Sequence, residues 1–269
     1  MKIASWNVNS VKVRLPHLLD FLKSAQPDVL CLQETKCLVD EFPKLEIAAL
    51  GYRVEAIGQR AYNGVALISK QPPRDVVIGL AEAGGPREGA DEQARYIEAS
   101  FDAPGGSDGG EVRVASIYLP NGNPIGTDKF AYKLAWMDRL HAHVQSLLRR
   151  EIPVVLGGDY NVAPTDEDVF DPVGCRDDAV IQPEARSRFR ALLYLGLSDA
   201  YRVFHHEPHR YTFWDYQAGR WNRDEGMRID HLLLSPHAAD RIAACDIDKS
   251  PRGRDRASDH TPIWCELAV

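Results

Sequence analysis

Cysteine is scarce in this chain, and its few thiols follow no pattern that would build a disulfide framework or a thiolate zinc site. There are five cysteines among 269 residues, an odd number with no Cys-x-x-Cys pair, which indicates a reducing compartment. No stretch approaches the ~20 apolar residues that a membrane span needs, and the first residues form a strand-like pattern rather than an apolar signal core. We therefore expect a cytoplasmic protein that does not bind a membrane.

Positive charge is also in deficit. The chain carries 32 basic and 39 acidic residues, a formal net charge of −7, which argues against nucleic-acid binding through bulk positive charge but not through a local basic patch. Hydrophobic residues make up 44% and charged residues 26%, as in ordinary globular proteins, so disorder, collagen and coiled coil are excluded. A chain of this length can bury a sizeable core.

Short apolar runs alternate with amphipathic segments along the chain. Helical spacing of apolar residues predicts helices at 15–25, 128–150 and 186–195. Strands are predicted at 2–8, 28–33, 52–58, 63–69, 74–80, 95–101, 112–119, 153–157, 228–235 and 262–268. Segments rich in proline, glycine and charge are too short to link domains, so we interpret them as surface loops, at 83–93, 103–110 and 205–226. The pattern predicts one α/β domain over residues 1–269, with two mixed, mostly antiparallel sheets packed face to face and helices outside.

Polar side chains stand where several of these strands begin or end. They are four carboxylates, two amides and one imidazole: Glu34, Asp159, Asp230, Asp259, Asn7, Asn161 and His260. Carboxylate and amide oxygens are hard ligands that suit Mg²⁺ or Mn²⁺ rather than zinc, and clustered carboxylates repel one another unless a cation lies among them. A single Asp after a strand is usually a turn former or a helix cap, so the hypothesis of a metal site rests on the combination.

The segments that carry these residues form distinct sequence blocks. They read Ser-Trp-Asn-Val-Asn at 5–9, Leu-Gln-Glu-Thr-Lys at 32–36, Asn-Gly-Val-Ala-Leu at 63–67, Tyr-Leu-Pro-Asn-Gly at 118–122, Gly-Gly-Asp-Tyr-Asn at 157–161, Arg-Ile-Asp-His-Leu-Leu at 228–233 and Ser-Asp-His-Thr-Pro at 258–262. In content and order they resemble the signature blocks of the exonuclease III family of abasic-site DNA repair nucleases, and the resemblance covers essentially the whole chain. It implies the four-layered α/β sandwich of the endonuclease/exonuclease/phosphatase superfamily, a deoxyribonuclease-I-like fold.

The resemblance also implies a metal site. Glu34 is then the principal ligand of a Mg²⁺ ion, which Mn²⁺ could replace, with Asn7 beside it. Asp259 approaches the metal from the opposite side, and Asp159 and Asn161 complete its surroundings. Whether one or two metals operate stays open.

For the reaction, the resemblance implies in-line attack of water on a phosphodiester, in which metal and fixed donors offset the developing negative charge. Asp159 would orient or deprotonate the water, and Asn161 would donate to the water or the phosphoryl group, since residues two apart on an extended chain share a side. Asp230 would hold His260, whose other ring nitrogen contacts a phosphate oxygen. Tyr118 would donate its hydroxyl to the phosphate or the leaving group. Either Asp159 or His260 is the general base.

DNA contacts are predicted in a local basic patch. Between residues 186 and 228, eight arginines accompany five acidic residues, and the guanidinium fork suits phosphate oxygens. We expect backbone contacts from Arg186, Arg188, Arg220 and Arg223. Trp214 corresponds to a family aromatic near the abasic pocket, where stacking is expected, and Arg95 resembles a family residue that contacts the DNA backbone. Lys129 and Lys133 face either DNA or water.

The leading hypothesis is therefore a Mg²⁺-dependent DNA repair nuclease that hydrolyses the phosphodiester 5′ to abasic sites and has 3′–5′ exonuclease and end-trimming activity. Its expected partner is double-stranded DNA with abasic sites or 3′ ends, and it is expected to act as a monomer. One alternative is a superfamily phosphatase acting on a small phosphoester. Another is a DNA-binding module without catalysis, which would have no need for clustered carboxylates near phosphate.

Overall fold

Two six-stranded sheets lie at the centre of the protein, in a computed structural model that describes residues 1–80, 93–103 and 110–268. The twelve strands of the described residues are numbered β1 to β12 in chain order: Lys2–Asn7, Val29–Gln33, Arg53–Ile57, Val65–Ser69, Arg74–Ile78, Tyr96–Asp102, Glu111–Tyr118, Val154–Asp159, Ser198–Asp199, Asp230–Leu234, Ile242–Ile247 and Ile263–Leu267. The spatial orders are β11-β12-β1-β2-β4-β3 and β5-β6-β7-β8-β10-β9. Two of the pairs, β1 with β2 and β7 with β8, are parallel, so the prediction of mixed, mostly antiparallel sheets is confirmed.

Helices cover the outer faces of the two sheets. In chain order, α1 to α6 are Leu15–Ala25, Lys44–Ala48, Asp128–Leu148, Pro183–Tyr194, Ala200–Phe204 and Pro236–Ala239. Short 3₁₀ helices lie at Val39–Glu41, Asp166–Asp168, Gln217–Gly219, Trp221–Arg223 and Ser250–Gly253. Among the described residues, none of these helices combines the length and apolar character needed to cross a lipid bilayer.

Three apolar clusters hold the layers together. The cluster between the sheets includes Ile3 and Leu232. On the outer face of the first sheet, Leu18 of α1 packs with the strands, and on the outer face of the second sheet, α3 and α4 pack through Leu140 and Phe189. Because both faces of the central strands are covered, those strands read as apolar runs rather than as an alternating pattern. The order helix, sheet, sheet, helix is the predicted four-layered sandwich.

The elements that the sequence did not predict are short or half exposed. Strand β11 alternates between exposed and partly buried residues at the edge of the first sheet, and helices α2, α5 and α6 span five residues or fewer. A helical or strand period cannot be recognised over so few positions. Of the three predicted surface loops, most of 83–93 and 103–110 lies outside the described residues, whereas 205–226 is irregular chain with two 3₁₀ turns.

Candidate active site

The carboxyl ends of β1, β2, β7 and β8 meet the amino ends of β10 and β12 at one edge of the two sheets. The register places Tyr118 opposite Asp159 across β7 and β8, and Asp159 opposite Asp230 across β8 and β10. In the other sheet, Asn7 lies opposite Gln33, so the next residue, Glu34, leaves the sheet beside Asn7. The polar side chains predicted at the strand ends therefore share one edge.

Two glycines allow this edge to form. A Cβ atom at Gly157 would lie 2.9 Å from Leu232 Cδ2, and one at Gly158 would lie 2.1 Å from the carbonyl oxygen of Ile117. The backbone contact at Gly158 excludes any side chain there, whereas at Gly157 the Leu232 side chain would have to shift. The Gly-Gly step thus sets Asp159 at the end of a strand that is packed tightly on both sides.

Asn7 connects two carboxylates that belong to different sheets. Its Nδ2 donates to Glu34 Oε1 at 2.8 Å and to Asp159 Oδ2 at 2.9 Å. Its Oδ1 accepts the backbone N–H of Asn9 at 3.0 Å. The fully buried Asn7 side chain therefore fixes the separation of Glu34 and Asp159.

Glu34 is kept in its charged form by a neighbouring ammonium group. Lys36 Nζ lies 2.7 Å from Glu34 Oε2 and donates to Asn9 Oδ1 at 2.6 Å. Burial alone would raise the pKa of Glu34, but Lys36 and the Asn7 amide outweigh it and hold the pKa below its usual value. Asn9 in turn donates from Nδ2 to Asp259 Oδ1 at 3.0 Å, so one hydrogen-bond chain connects Glu34 with Asp259.

His260 lies between two aspartates. Its Nδ1 is 2.8 Å from Asp230 Oδ2, and its Nε2 is 3.8 Å from Asp159 Oδ2. Its backbone is held as well, because its N–H donates to Ser258 Oγ at 3.2 Å and its carbonyl accepts from Trp6 Nε1 at 3.2 Å. Burial disfavours the imidazolium, but the Asp230 and Asp159 carboxylates outweigh it and raise the pKa of His260. The ring is therefore cationic at neutral pH.

Asp159 experiences the crowding that a cation would relieve. Burial, together with the nearby charges of Asp230 and Glu34, raises the pKa of this carboxyl. One ligand atom each from Glu34, Asp159 and His260 lie within 4.8 Å of one another. Two of the three are carboxylate oxygens and none is a thiolate, so the donor set fits a hard divalent cation held chiefly by Glu34 and Asp159.

Asn161 reaches the site by a turn rather than along an extended strand. β8 ends at Asp159, and Asn161 has a left-handed φ of 48°, so the expected extended geometry is wrong. The Asn161 N–H instead donates to Asp159 Oδ1 at 2.9 Å, which brings both side chains to the same pocket. Asn161 Nδ2 donates to the carbonyl of Leu119 at 2.9 Å, and its Oδ1 accepts from Asn121 Nδ2 at 3.1 Å.

Tyr118 contacts Arg95 and Glu34 at the same edge. The guanidinium carbon of Arg95 lies 4.9 Å from the centre of the Tyr118 ring, and Arg95 Nη1 donates to the Tyr118 carbonyl at 3.2 Å. Burial and the charge of Glu34 raise the pKa of Tyr118. The hydroxyl therefore stays protonated, with Glu34 as its hydrogen-bond partner.

These groups open onto a pocket of about 400 Å³. Its lining includes the polar groups of Glu34, Asp159, Asn161, Asp259 and His260. It also includes apolar side chains, those of Phe170, Val180, Phe213, Met227 and Ile229, beside the charged Arg220 and Glu225. A second, more open groove of about 580 Å³ shares Tyr118, Asn121 and Asn123 with the pocket and extends past Arg95 and Lys129.

Comparison with known proteins agrees with this geometry. The Endonuclease/Exonuclease/phosphatase family matches residues 4–260, which include Asn7, Glu34, Asp159 and His260. The chain belongs to the endonuclease/exonuclease/phosphatase family.

Individual members of the family show which branch it resembles. Exodeoxyribonuclease III of Haemophilus influenzae is 31% identical over 284 aligned positions, covering 99% of this chain and 100% of the relative. The structure of an AP endonuclease from Archaeoglobus fulgidus superposes with a TM-score of 0.90 at 35% identity, and that of a 3′ phosphatase from Neisseria bound to product DNA hairpin with 0.91 at 36% identity, each covering 100% of both chains. The chain is accordingly a nuclease of the exodeoxyribonuclease III kind.

Within this family frame, the prediction for Trp214 is wrong. Its side chain is fully buried, and its ring packs edge-on against Trp221 at a centroid distance of 4.9 Å. Its Nε1 donates to Asp224 Oδ1 at 2.9 Å, and its backbone N–H donates to the carbonyl of Asp259 at 2.8 Å. Trp214 therefore supports the segment that carries Asp259, and its ring has no face available for a DNA base or sugar.

The arginines expected to contact DNA are engaged by acidic neighbours. Arg186 Nη1 donates to Asp166 at 2.7 Å, and Arg188 Nε donates to Asp138 of α3 at 2.8 Å. Neither arginine lines the pocket or the groove. Some of the arginines in the segment 186–228 are therefore paired with carboxylates and are not free to contact phosphates.

Arg220 and Arg223 lie closer to the pocket but share one partner. Arg220 Nη1 is 3.0 Å from Glu225 Oε2, and Arg223 Nε is 2.7 Å from Glu225 Oε1. Arg220 also lies over the Phe170 ring, 4.2 Å from its centre, in the pocket wall. Glu225 thus neutralises part of the positive charge that the sequence predicted would contact DNA.

Three residues of the site were not singled out from the sequence although they lie in the matching blocks. Asn9 and Lys36 connect Glu34 with Asp259, as described above. Gln33 is buried and donates from Nε2 to Ser116 Oγ at 3.0 Å, which joins the two sheets directly beneath the site. The available signal was a polar residue inside the apolar strand β2 for Gln33, and polar residues just after the ends of β1 and β2 for Asn9 and Lys36.

Proposed function

We propose that this nuclease is Mg²⁺-dependent, hydrolyses the phosphodiester 5′ to abasic sites in double-stranded DNA, and trims 3′ ends. The observation that carries the proposal is the group of Glu34, Asp159 and His260, which lines a pocket that also contains apolar side chains. The charged group suits phosphoryl chemistry, and the apolar side chains suit a sugar from which the base is missing.

Glu34 and Asp159 would hold the cation, which supplies a Lewis acid for the phosphoryl oxygens when it is bound. Asp159 is the proposed acceptor of the proton from the attacking water. Each of its oxygens accepts one hydrogen bond, from Asn161 N–H and from Asn7 Nδ2, so that the carboxylate is fixed while lone pairs remain for the water. The water oxygen forms the new P–O bond as the bond from phosphorus to the 3′ oxygen breaks.

His260 is a less suitable base, because its ring already carries a proton between two aspartates. With Nδ1 bound to Asp230, its Nε2–H is left to donate to a phosphate oxygen as negative charge develops. Asn161 and the Tyr118 hydroxyl are further donors that line the same pocket. We assign Tyr118 to the leaving oxygen.

The apolar side chains of the pocket support abasic specificity. Phe213, Met227 and Ile229 line it together with the catalytic groups, and the Phe213 ring centre lies 4.9 Å from that of His260. An abasic deoxyribose presents no base edges that need hydrogen bonds, and it costs less to extrude from the duplex than a stacked, paired nucleotide. A pocket of about 400 Å³ with these side chains can therefore accept the damaged sugar.

The adjoining groove supports binding of the rest of the strand. It shares the lining residues Tyr118 and Asn121 with the pocket, and it carries Arg95 and Lys129. Both cations can contact backbone phosphates. Since one chain supplies the complete site, we propose that the protein acts as a monomer, and its five free cysteines suit the reducing cytoplasm.

The test uses two duplexes, one with a single tetrahydrofuran abasic analogue and one undamaged with a recessed 3′ end, each incubated with Mg²⁺ or with EDTA. We expect a nick on the 5′ side of the analogue and shortening of the 3′ end, both dependent on Mg²⁺ and both absent in Glu34→Ala. Processing of 3′ ends without any nick at the analogue would refute the abasic specificity. Undiminished cleavage in EDTA would refute the metal dependence.

A further inference from the structure

Lys133 lies in the second turn of helix α3, yet it faces neither DNA nor water. Its side chain is fully buried, and its ammonium group donates to three backbone carbonyls, those of Asn121, Asn161 and Ala179, at 2.9, 2.6 and 3.3 Å. Burial lowers the pKa of Lys133 to about 7, and in its ammonium form the group has three N–H donors, which the three carbonyls match. The sequence predicted that Lys133 faces either DNA or water, and both alternatives are wrong.

The three carbonyls belong to three separate segments that build the pocket. One segment carries Asn121 and Asn123, the second carries Asn161, and the third carries Asp178, and these residues line the pocket. The segments are also bonded to one another, because Asn123 Nδ2 donates to Asp178 Oδ1 at 3.0 Å and Asn121 Nδ2 donates to Asn161 Oδ1 at 3.1 Å. Each of the three segments is therefore hydrogen-bonded to Lys133 through a backbone carbonyl.

The stem of Lys133 is enclosed as closely as its ammonium group. A Cβ atom at Gly122, where φ is 87°, would lie 2.6 Å from Lys133 Cδ, so the turn at Gly122 rests directly on the side chain. Without the ammonium, the carbonyls of Asn121 and Asn161 would lose a buried partner, which costs free energy that a rearrangement of the segments would recover. Helix α3 thereby determines where the asparagine segments lie.

We propose that Lys133 is a positioning residue for the nuclease reaction, whose ammonium group holds the backbone of Asn161 and Asn121 so that the Asn161 amide faces the reacting phosphate. This inference rests on the role of Asn161 in the proposed function. An apolar side chain would satisfy the packing of α3 equally well, but it would leave the pocket segments without their common donor. The effect of Lys133 on the rate therefore passes through Asn161.

A double-mutant cycle separates this role from a contribution to stability. The variants are Lys133→Met, Asn161→Ala and the double variant, with Lys23→Met on the exposed face of α1 as a control. Single-turnover rates are measured on the abasic and recessed-end duplexes at saturating enzyme, together with the affinity for uncleaved duplex and the thermal midpoint. We expect Lys133→Met to reduce the rate by about 10²-fold, because misplacement by ~1 Å has effects of that order, while affinity changes by less than about threefold.

In the double variant, the rate should fall no more than about threefold below that of Asn161→Ala, since coupled residues are not additive. A multiplicative loss, or a loss of affinity in proportion to rate, would overturn the inference. If Lys133→Met does not fold, the same cycle is run with Lys133→Gln, which retains two N–H donors and should lie between wild type and Asn161→Ala. The wild-type protein on each duplex reports on the proposed function, and the ratio of variant to wild type on the duplex that is cleaved reports on Lys133.

Discussion

At the site, Asn7 and Asp230 act on other side chains rather than on solvent. Asn7 holds the carboxylates of Glu34 and Asp159, and Asp230 holds the imidazolium of His260. Both are fully buried, so their hydrogen bonds are formed in a low-dielectric environment and are costly to leave unmade. The catalytic groups are therefore set in place before any substrate arrives.

A change at Asp159 tests the assignment of the proton acceptor. Asp159→Asn keeps the shape of the side chain but removes its charge and most of its basicity, and we expect the single-turnover rate to fall by about 10²–10⁴-fold. Duplex affinity should stay the same, because the arginine and lysine contacts lie elsewhere. Quenched-flow cleavage and fluorescence anisotropy measure the two quantities, with the exposed Asp240→Asn as control. A loss below tenfold would return the role of base to His260.

A change at Trp214 distinguishes support of the fold from contact with DNA. Because the ring is enclosed by Trp221 and its Nε1 is bound to Asp224, Trp214→Ala should lower the free energy of unfolding by about 3–5 kcal/mol. Tyr194→Ala, at a ring that is 85% exposed, should change it by less than ~0.5 kcal/mol. Urea unfolding compares the two. Normal stability combined with a selective loss of affinity for the abasic duplex would show that the ring does reach DNA.

On the scale of elements, a buried carboxylate joins β6 and β7 to helix α3. Glu98 lies 2.8 Å from Arg113 Nη2 and 3.4 Å from His143 Nε2, and it accepts from the Tyr96 hydroxyl at 2.6 Å. Burial alone would raise the pKa of Glu98, but His143, Arg113 and Tyr96 outweigh it and lower the pKa to about 2. The folded protein therefore binds this proton less readily than the unfolded chain, and the stability from Glu98 is present above pH 4.5 and is lost as the pH falls toward 2.

The lowered pKa of Glu98 in the folded protein predicts how the stability of Glu98→Gln depends on pH. At pH 7 the variant should be less stable than the wild type by about 3 kcal/mol, the free energy that corresponds to the lowering of the pKa. The difference should shrink steadily as the pH is lowered from 4.5 to 2. Urea unfolding of both proteins at several pH values measures it. A difference that does not depend on pH would show that Glu98 contributes by packing alone.

The sequence predicted the elements that are long and buried, and it located the side chains at their ends. Helix α1 begins and ends at the predicted residues 15 and 25, because a single apolar stripe faces the first sheet. Contacts between residues that are far apart in the sequence could not be predicted from it. Lys133 stands in a helical pattern typical of an exposed lysine, and only the packing of three distant segments encloses it. Trp214 and the arginines failed for the same reason, since neither burial nor ion pairing can be read from a local count of residue types.

For the whole molecule, the salt dependence of DNA binding should follow the groove rather than the arginine count. Each phosphate contact contributes about −0.9 to the slope of log K against log salt concentration. We expect Arg95→Ala and Lys129→Ala each to make the slope shallower by about 1. Arg188→Ala should leave it unchanged, since Asp138 already neutralises that guanidinium. Anisotropy titrations from low to physiological salt measure the slopes. Equal effects of all three changes would show that the predicted arginine patch at 186–228 does contact DNA.

The pairing of β1 with β12 brings opposite ends of the described chain together, with Lys2 opposite Glu266. The first sheet and the reactive centre are therefore completed by the same distant segment, because β12 covers one edge of β1 and the residues just before β12 include His260. A variant truncated before residue 258 would leave that edge of β1 unpaired and would remove His260 from the site, while Asn7 and Glu34 would still be present. Closure of the sheet and assembly of the catalytic group are in this sense a single folding event.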